Sequence, residues 1–289
     1  MAEECASKSS CSRGSCEGCP SKAAEAAGVR NTSFLVESNK YSDIKHVIGV
    51  VSGKGGVGKS FVTATLAGLM AKAGYSVGIL DADITGPSIP KMFGVTGPAL
   101  GNEDGYFPVH AADGTAIMSI NLLLEDEGQS VAWRGPVISG VVKQFYTDVQ
   151  WGSLDYLFVD MPPGTGDVAL TVFQSLPLDG IIVVTSPQDL VRMIVHKAFD
   201  LADKMHIPVL GIVENYSYVE CPDCGKHIEV FGTSHIDEIA AELNTTVLGK
   251  MPLKAELAGF ADSGTIYEFE NTYLSDAVAV LEKVVSFEK

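Results

Sequence analysis

The chain has no unbroken apolar run of the roughly 18 residues that a membrane span needs, and its first ten residues, MAEECASKSS, hold no basic stretch followed by an apolar one. From these absences we expect a cytoplasmic protein with no membrane partner. Positive charge is scarce as well: 20 Lys and Arg stand against 36 Asp and Glu, for a formal net charge of −16 at pH 7. A phosphate-backbone partner needs a dense Lys/Arg face, so nucleic acid is excluded, and an anionic lipid surface falls on the same ground. Proteins and small molecules remain as partners. No internal repeat is present. Disulfides are disfavoured in a reducing compartment, and the cysteines are grouped, with Cys5, Cys11, Cys16 and Cys19 near the start and Cys221 and Cys224 in one loop. Such grouping suggests metal or redox chemistry.

With 289 residues, 46% of them hydrophobic, the chain can bury a sizeable core. Residues 1–40 are rich in Ser, Ala, Gly, Glu and Lys without an apolar period, which reads as a flexible cysteine-containing tail. Residues 41–289 read as one domain. There, short apolar runs (HVIGVVS, YSVGILD, DYLFVD, GIIVVTS, IPVLGIVEN, TVLGKMP) alternate with helix-length stretches at 59–73, 135–149, 188–204 and 235–243. Continuous apolar strands alternating with helices indicate an α/β fold, a mainly parallel twisted sheet covered on both faces. Ligands of such sheets bind beyond the carboxyl ends of the strands. The segment GYFPVHAADGTAIMSI breaks the pattern and reads as an inserted β-hairpin.

After the first strand comes SGKGGVGKS, in which Gly53, Lys54, Gly55, Gly56, Val57, Gly58, Lys59 and Ser60, followed by Phe61, match two phosphate-binding templates. Glycines that turn backbone N–H groups toward an anion at a helix N-terminus serve either a P-loop or a dinucleotide site. Lys59 and Ser60 separate the two. A lysine for β- and γ-phosphates and a hydroxyl for Mg²⁺ suit a nucleoside triphosphate, and Asp160, ending the strand LDYLFVD, can hold the Mg²⁺ shell.

Lys54 stands where the ordinary template asks for nothing, and the string thereby resembles the deviant Walker A of the ParA/MinD/nitrogenase-iron-protein class. That resemblance implies an ATP-dependent homodimer in which Lys54 reaches the second copy's phosphates. DADITGPSIP, WRGP, VDMPPGTGD and VENYS narrow the match, from about residue 40 to near the C-terminus, to the Mrp/ApbC family of iron–sulfur cluster carrier ATPases. Carried over, the resemblance implies that Asp81 and Asp160 organise Mg²⁺ with Ser60, that Asp83 orients the attacking water, and that Gly164 and Gly166 approach the γ-phosphate. It also implies that Asn215 reads the adenine edge, with Pro252 beside the base. As plain structure, Asp81 and Asp83 would be strand-end and turn residues, and Asn215 and Pro252 strand terminators.

For Cys221 and Cys224, in CPDCGKH, three readings stand. A redox dithiol usually opens a helix, which this loop does not. A zinc knuckle would add His227 and needs a fourth ligand, from the tail or His235. A two-fold dimer would bring four thiolates together, the complement of a bridging [4Fe–4S] cluster, which is also what the family resemblance implies. The tail cysteines Cys5, Cys11, Cys16 and Cys19 are candidates for a second cluster, for zinc, or for plain reduced thiols in a disordered tail; CEGCPSK resembles a ferredoxin-like motif, although the cysteine that the family has after it is missing. We therefore expect an ATP-hydrolysing carrier that passes a [4Fe–4S] cluster from cluster donors to apo iron–sulfur acceptor proteins. The rival expectations are a ParA/MinD-like positioning switch and an ATP-dependent electron donor resembling the nitrogenase iron protein.

Overall fold

Residues 32–124, 133, 135–188 and 191–286 are described by the computed structural model. β1 (Ser42–Ser52) leads through the glycine-rich loop into α1 (Lys59–Lys72), and β2 (Val77–Asp81) follows. A single turn, α2 (Ile89–Met92), precedes the short strands β3 (Gly101–Asn102), β4 (Gly105–Tyr106), β5 (Val109–His110) and β6 (Ala116–Met118). Next come α3 (Gly135–Thr147), β7 (Gly152–Asp160), α4 (Asp167–Ser175), β8 (Gly180–Thr185), α5 (Val191–Lys204) and β9 (Val209–Glu214). A ribbon of β10 (Val219–Glu220) and β11 (His227–Ile228) precedes α6 (Ile236–Glu242), β12 (Val247–Lys250), α7 (Ala255–Ser263) and α8 (Ser275–Ser286).

The main sheet has eight strands in the order β12-β9-β8-β1-β7-β2-β6-β5. All neighbours are parallel except β5, which runs antiparallel to β6. The expected hairpin is present as β5–β6. Its second strand pairs with β2, so the hairpin closes one edge of the sheet with a very short strand, a form that discourages pairing with another chain.

Alternation along β1 divides the core. Val47 and Val51 pack on the face covered by α3, α4, α5 and α6, whereas Ile48 and Val50 pack on the face covered by α1, α2, α7 and α8. Both faces are dry, which is why the strands read as unbroken apolar runs. Each fully buried side chain such as Phe158 or Leu66 contributes about 1.5–3 kcal/mol from apolar burial. α8 buries Ala277 and Leu281, with Leu274 just before the helix, and the Tyr156 hydroxyl donates to the Leu281 carbonyl at 2.9 Å.

Strand order places the functional chemistry. β1, β7 and β2 are consecutive, so the loop after β1, Asp160 at the end of β7 and Asp81 at the end of β2 converge at one carboxyl edge.

Candidate functional site

The loop from Gly53 to Gly58 turns the chain from β1 into α1, whose first N–H groups have no side-chain cap. An uncapped helix N-terminus of this length is an anion site. Gly58 has φ 79°, and a Cβ there would lie 2.2 Å from the Asn215 amide nitrogen, so the position requires glycine twice over. The loop opens on a cleft of about 430 Å³, lined among others by Gly55, Gly56, Gly58, Lys59, Ser60 and Phe61.

Behind the loop lies a buried charge cluster. The Lys59 ammonium, 5% exposed, is 2.7 Å from Asp160 Oδ2 and 3.8 Å from Asp83 Oδ2. Asp160 also accepts from the Ser60 hydroxyl at 2.6 Å and from the Thr63 hydroxyl at 2.6 Å. Asp81 accepts from the Ser119 hydroxyl at 3.0 Å and from the Asp83 N–H at 3.2 Å. Three carboxylates thus surround one ammonium. Burial, and then the charge of Asp160, push the Asp81 carboxyl up to about 8. Burial and Asp160 also raise Asp83, against the pull of Lys59.

This excess of buried negative charge is the test of fit for a divalent cation. Ser60, Asp81 and Asp160 offer hard oxygen atoms of the kind Mg²⁺ prefers. Among the described residues no three His, Cys, Asp or Glu side chains are already arranged as a complete metal site. Mg²⁺ takes one or two carboxylates and completes its shell with substrate phosphates and water.

Other expected residues take different places. Asn215 is buried, donates to the Val57 carbonyl at 3.0 Å and accepts from the Tyr216 N–H at 3.0 Å. It braces the loop and also lines the cleft with Pro252. Val57 is packed in the core and does not line the cleft. Lys54 also points elsewhere, its ammonium donating to the Gln188 side-chain oxygen of the same chain. Gly164 is fixed by its N–H on the Ser52 carbonyl at 2.8 Å, and the cleft wall on that side is Pro163.

Cys221 and Cys224 sit at the tip of the β10–β11 hairpin, where the sequence pattern gives only a loop. The turn closes through Cys221 N–H to the Lys226 carbonyl and Gly225 N–H to the Cys221 carbonyl, both 2.9 Å. The Asp223 and Cys224 N–H groups, with the Cys224 thiol, hold the Cys221 thiol below its usual value. Thiolate is the form that ligates metal. His227 stacks on Tyr218 with ring centroids 3.7 Å apart and an interplanar angle of 13°, so it fastens the hairpin. Cys5, Cys11, Cys16 and Cys19 lie outside the described residues.

Sequence reasoning missed Thr63, Ser119, Gln188, Glu220 and Lys254. Thr63 alone carried a signal: it falls four residues after Lys59, on the same helix face. The rest are brought in by the tertiary fold.

A sequence-family model described as "ParA: NUBPL iron-transfer P-loop NTPase" matches residues 43–286. An iron-sulfur cluster carrier protein of Clostridium perfringens is 43% identical over 269 residues, covering 89% of this chain and 94% of that one. A nucleotide-binding protein of Archaeoglobus fulgidus, solved in complex with ADP, superposes with a TM-score of 0.73 at 41% identity over 80% of this chain and 91% of that one. The cell division ATPase MinD of Pyrococcus furiosus superposes with a TM-score of 0.59, covering 84% of this chain and 99% of that one; at 19% identity it speaks for the fold alone.

Proposed function

The chain belongs to the ParA-type, NUBPL iron-transfer P-loop NTPase family, and from that premise we propose that it is an ATP-hydrolysing carrier of a [4Fe–4S] cluster. The cluster is cargo, bound across a homodimer by Cys221 and Cys224 of each copy and passed to apo iron–sulfur proteins. The observation that carries this reading is the hairpin tip itself. It presents two thiols, one of them held below its usual value by the Asp223 and Cys224 N–H groups, while the nearby imidazole of His227 is committed to Tyr218. Two such tips supply the four thiolates that a [4Fe–4S] cluster takes.

For hydrolysis, the loop N–H groups and the α1 N-terminus would bind the phosphates, with Lys59 against the β- and γ-phosphoryl oxygens. Ser60, Asp81 and Asp160 would hold Mg²⁺, which supplies neutralisation of phosphate charge. Asp83, beside Lys59 and raised above the usual carboxylate range, would orient the attacking water. Lys54 of the second copy would stabilise the charge that builds on the γ-phosphate, so hydrolysis would depend on dimerisation. Pro252 and Asn215 would border the base.

Anaerobic reconstitution with iron and sulfide, quantified per dimer, tests the cargo site. A loss of about four irons in Cys221→Ala/Cys224→Ala supports it, and unchanged iron overturns it. Iron that survives the double substitution would belong to Cys5, Cys11, Cys16 and Cys19, the candidates for a second cluster or zinc.

A further inference from the structure

The nucleotide cleft and the cysteine hairpin share a wall. Pro252, Leu253 and Lys254 line the cleft on the side of α7. The Leu253 N–H donates to the Tyr218 carbonyl and the Ser217 N–H to the Met251 carbonyl, each at 2.8 Å, so this wall is laced to the segment that becomes β10. Glu220 is the last residue before Cys221. Its carboxylate is 2.7 Å from the Lys254 ammonium, which also donates to the Tyr273 hydroxyl at 3.1 Å. The outgoing arm of the hairpin is thus pinned by Lys254, and the return arm by His227 on Tyr218.

An ion pair whose side chains are 31% and 40% exposed adds little to folding stability. Its position matters more. The cations among the residues lining the cleft are Lys59, beside the phosphate loop, and Lys254, on the opposite wall next to Pro252 and Leu253. An anionic group of a ligand that reached this wall would compete with Glu220 for Lys254.

We propose that the Lys254–Glu220 pair is a strap through which nucleotide occupancy sets the freedom of Cys221 and Cys224; the inference rests on reading the cleft as the nucleotide site and the hairpin as the cargo site. With the cleft empty, Lys254 holds Glu220 and the hairpin is fastened. With nucleotide bound, Lys254 is drawn to the ligand and the hairpin is released. The strap needs only that nucleotide bind one of these two states better than the other.

The test is the rate at which iodoacetamide alkylates Cys221 and Cys224 in reduced, iron-free protein, followed on the peptide that carries them, without and with saturating Mg–ADP. ADP lacks the γ-phosphate that a two-fold contact would read, so release is measured apart from that contact. In the wild type ADP should speed alkylation about fivefold or more. Glu220→Gln should react at the fast rate already and ignore ADP, whereas Glu220→Asp, which keeps the carboxylate, should keep the response. A wild-type rate indifferent to ADP, or a Glu220→Gln response equal to the wild type's, overturns the strap. Iron loading of the same preparations separates the two readings. Protein that responds to ADP yet loads no iron at the hairpin keeps the strap and loses the cargo reading; normal iron with no ADP response does the reverse.

Discussion

Asp81 and Asp160 are register partners, the last residues of the adjacent parallel strands β2 and β7. In a parallel pair, partners point to the same face, so two carboxylates that are 1% and 0% exposed meet in one buried position. Lys59 offsets part of that charge through Asp160, and burial, followed by the charge of Asp160, raises Asp81. These side chains therefore place the site under electrostatic tension, which a proton or a cation relieves.

That tension makes stability depend on pH. Burial and the charge of Asp160 push the Asp81 carboxyl up to about 8 in the folded protein, against about 3.9 for an unfolded chain. Between those values the folded state keeps a proton that the unfolded state has lost, so stability falls as pH rises through the window. Asp81→Asn should leave the thermal midpoint unchanged near pH 4 and raise it at pH 8, by an amount on the order of a few kcal/mol in stability. Thermal melts of apoprotein across that range check it. A variant that gains nothing on the wild type between pH 4 and pH 8 would sink the idea.

Removing Lys59 leaves Asp160 buried with only the Ser60 and Thr63 hydroxyls for company. Breaking one side of such a pair costs roughly 3–5 kcal/mol, so Lys59→Ala should melt markedly lower as well as fail to bind nucleotide. Lys59→Ala/Asp160→Ala should recover much of the lost stability, because the uncompensated charge is gone, and still not hydrolyse ATP. Strictly additive losses in the double-mutant cycle would show that the two residues do not act as a pair.

Lys54 is bonded to Gln188 in its own chain and is not part of its own cleft wall. If its task lies across a two-fold interface, Lys54→Ala should bind nucleotide within a few-fold of the wild type and lose hydrolysis by roughly 10²–10³-fold. Equilibrium nucleotide titration beside steady-state phosphate release makes the comparison. Hydrolysis that persists at the wild-type rate would place the catalytic charge elsewhere.

How much of this was legible in the sequence depends on the range of the interaction concerned. The parallel sheet followed from unbroken apolar runs such as GIIVVTS, since a strand dry on both faces leaves that mark. The phosphate loop was legible because its chemistry is local, with lysine and hydroxyl adjacent to the glycines. Ser119 was not, because its hydroxyl reaches Asp81 only through the pairing of β6 with β2, across 38 positions of sequence. Nor was the Lys254–Glu220 pair, which forms where the turn after β12 passes the hairpin arm. The β10–β11 ribbon stayed hidden for a different reason: two-residue strands carry too little pattern to be read.

Gly58 and Asn215 give the sharpest single-residue test, because the geometry assigns Asn215 a task beyond the adenine contact that its motif implies. Its amide supports the phosphate loop by donating to the Val57 carbonyl at 3.0 Å. Gly58→Ala would place a methyl group 2.2 Å from that amide at a φ of 79°, so the amide must move and the Val57 carbonyl loses its partner. Backbone strain and the lost bond together should cost about 2–4 kcal/mol, and nucleotide affinity should drop by about tenfold or more. Asn215→Ala removes the brace without the strain, and should cost about 1–3 kcal/mol. If Asn215 served the base alone, this variant would bind ATP more weakly and inorganic tripolyphosphate as well as the wild type does. A brace for the loop predicts that both affinities fall together. Calorimetric titration of the two ligands against Asn215→Ala decides between the roles, and undiminished tripolyphosphate binding would remove the brace.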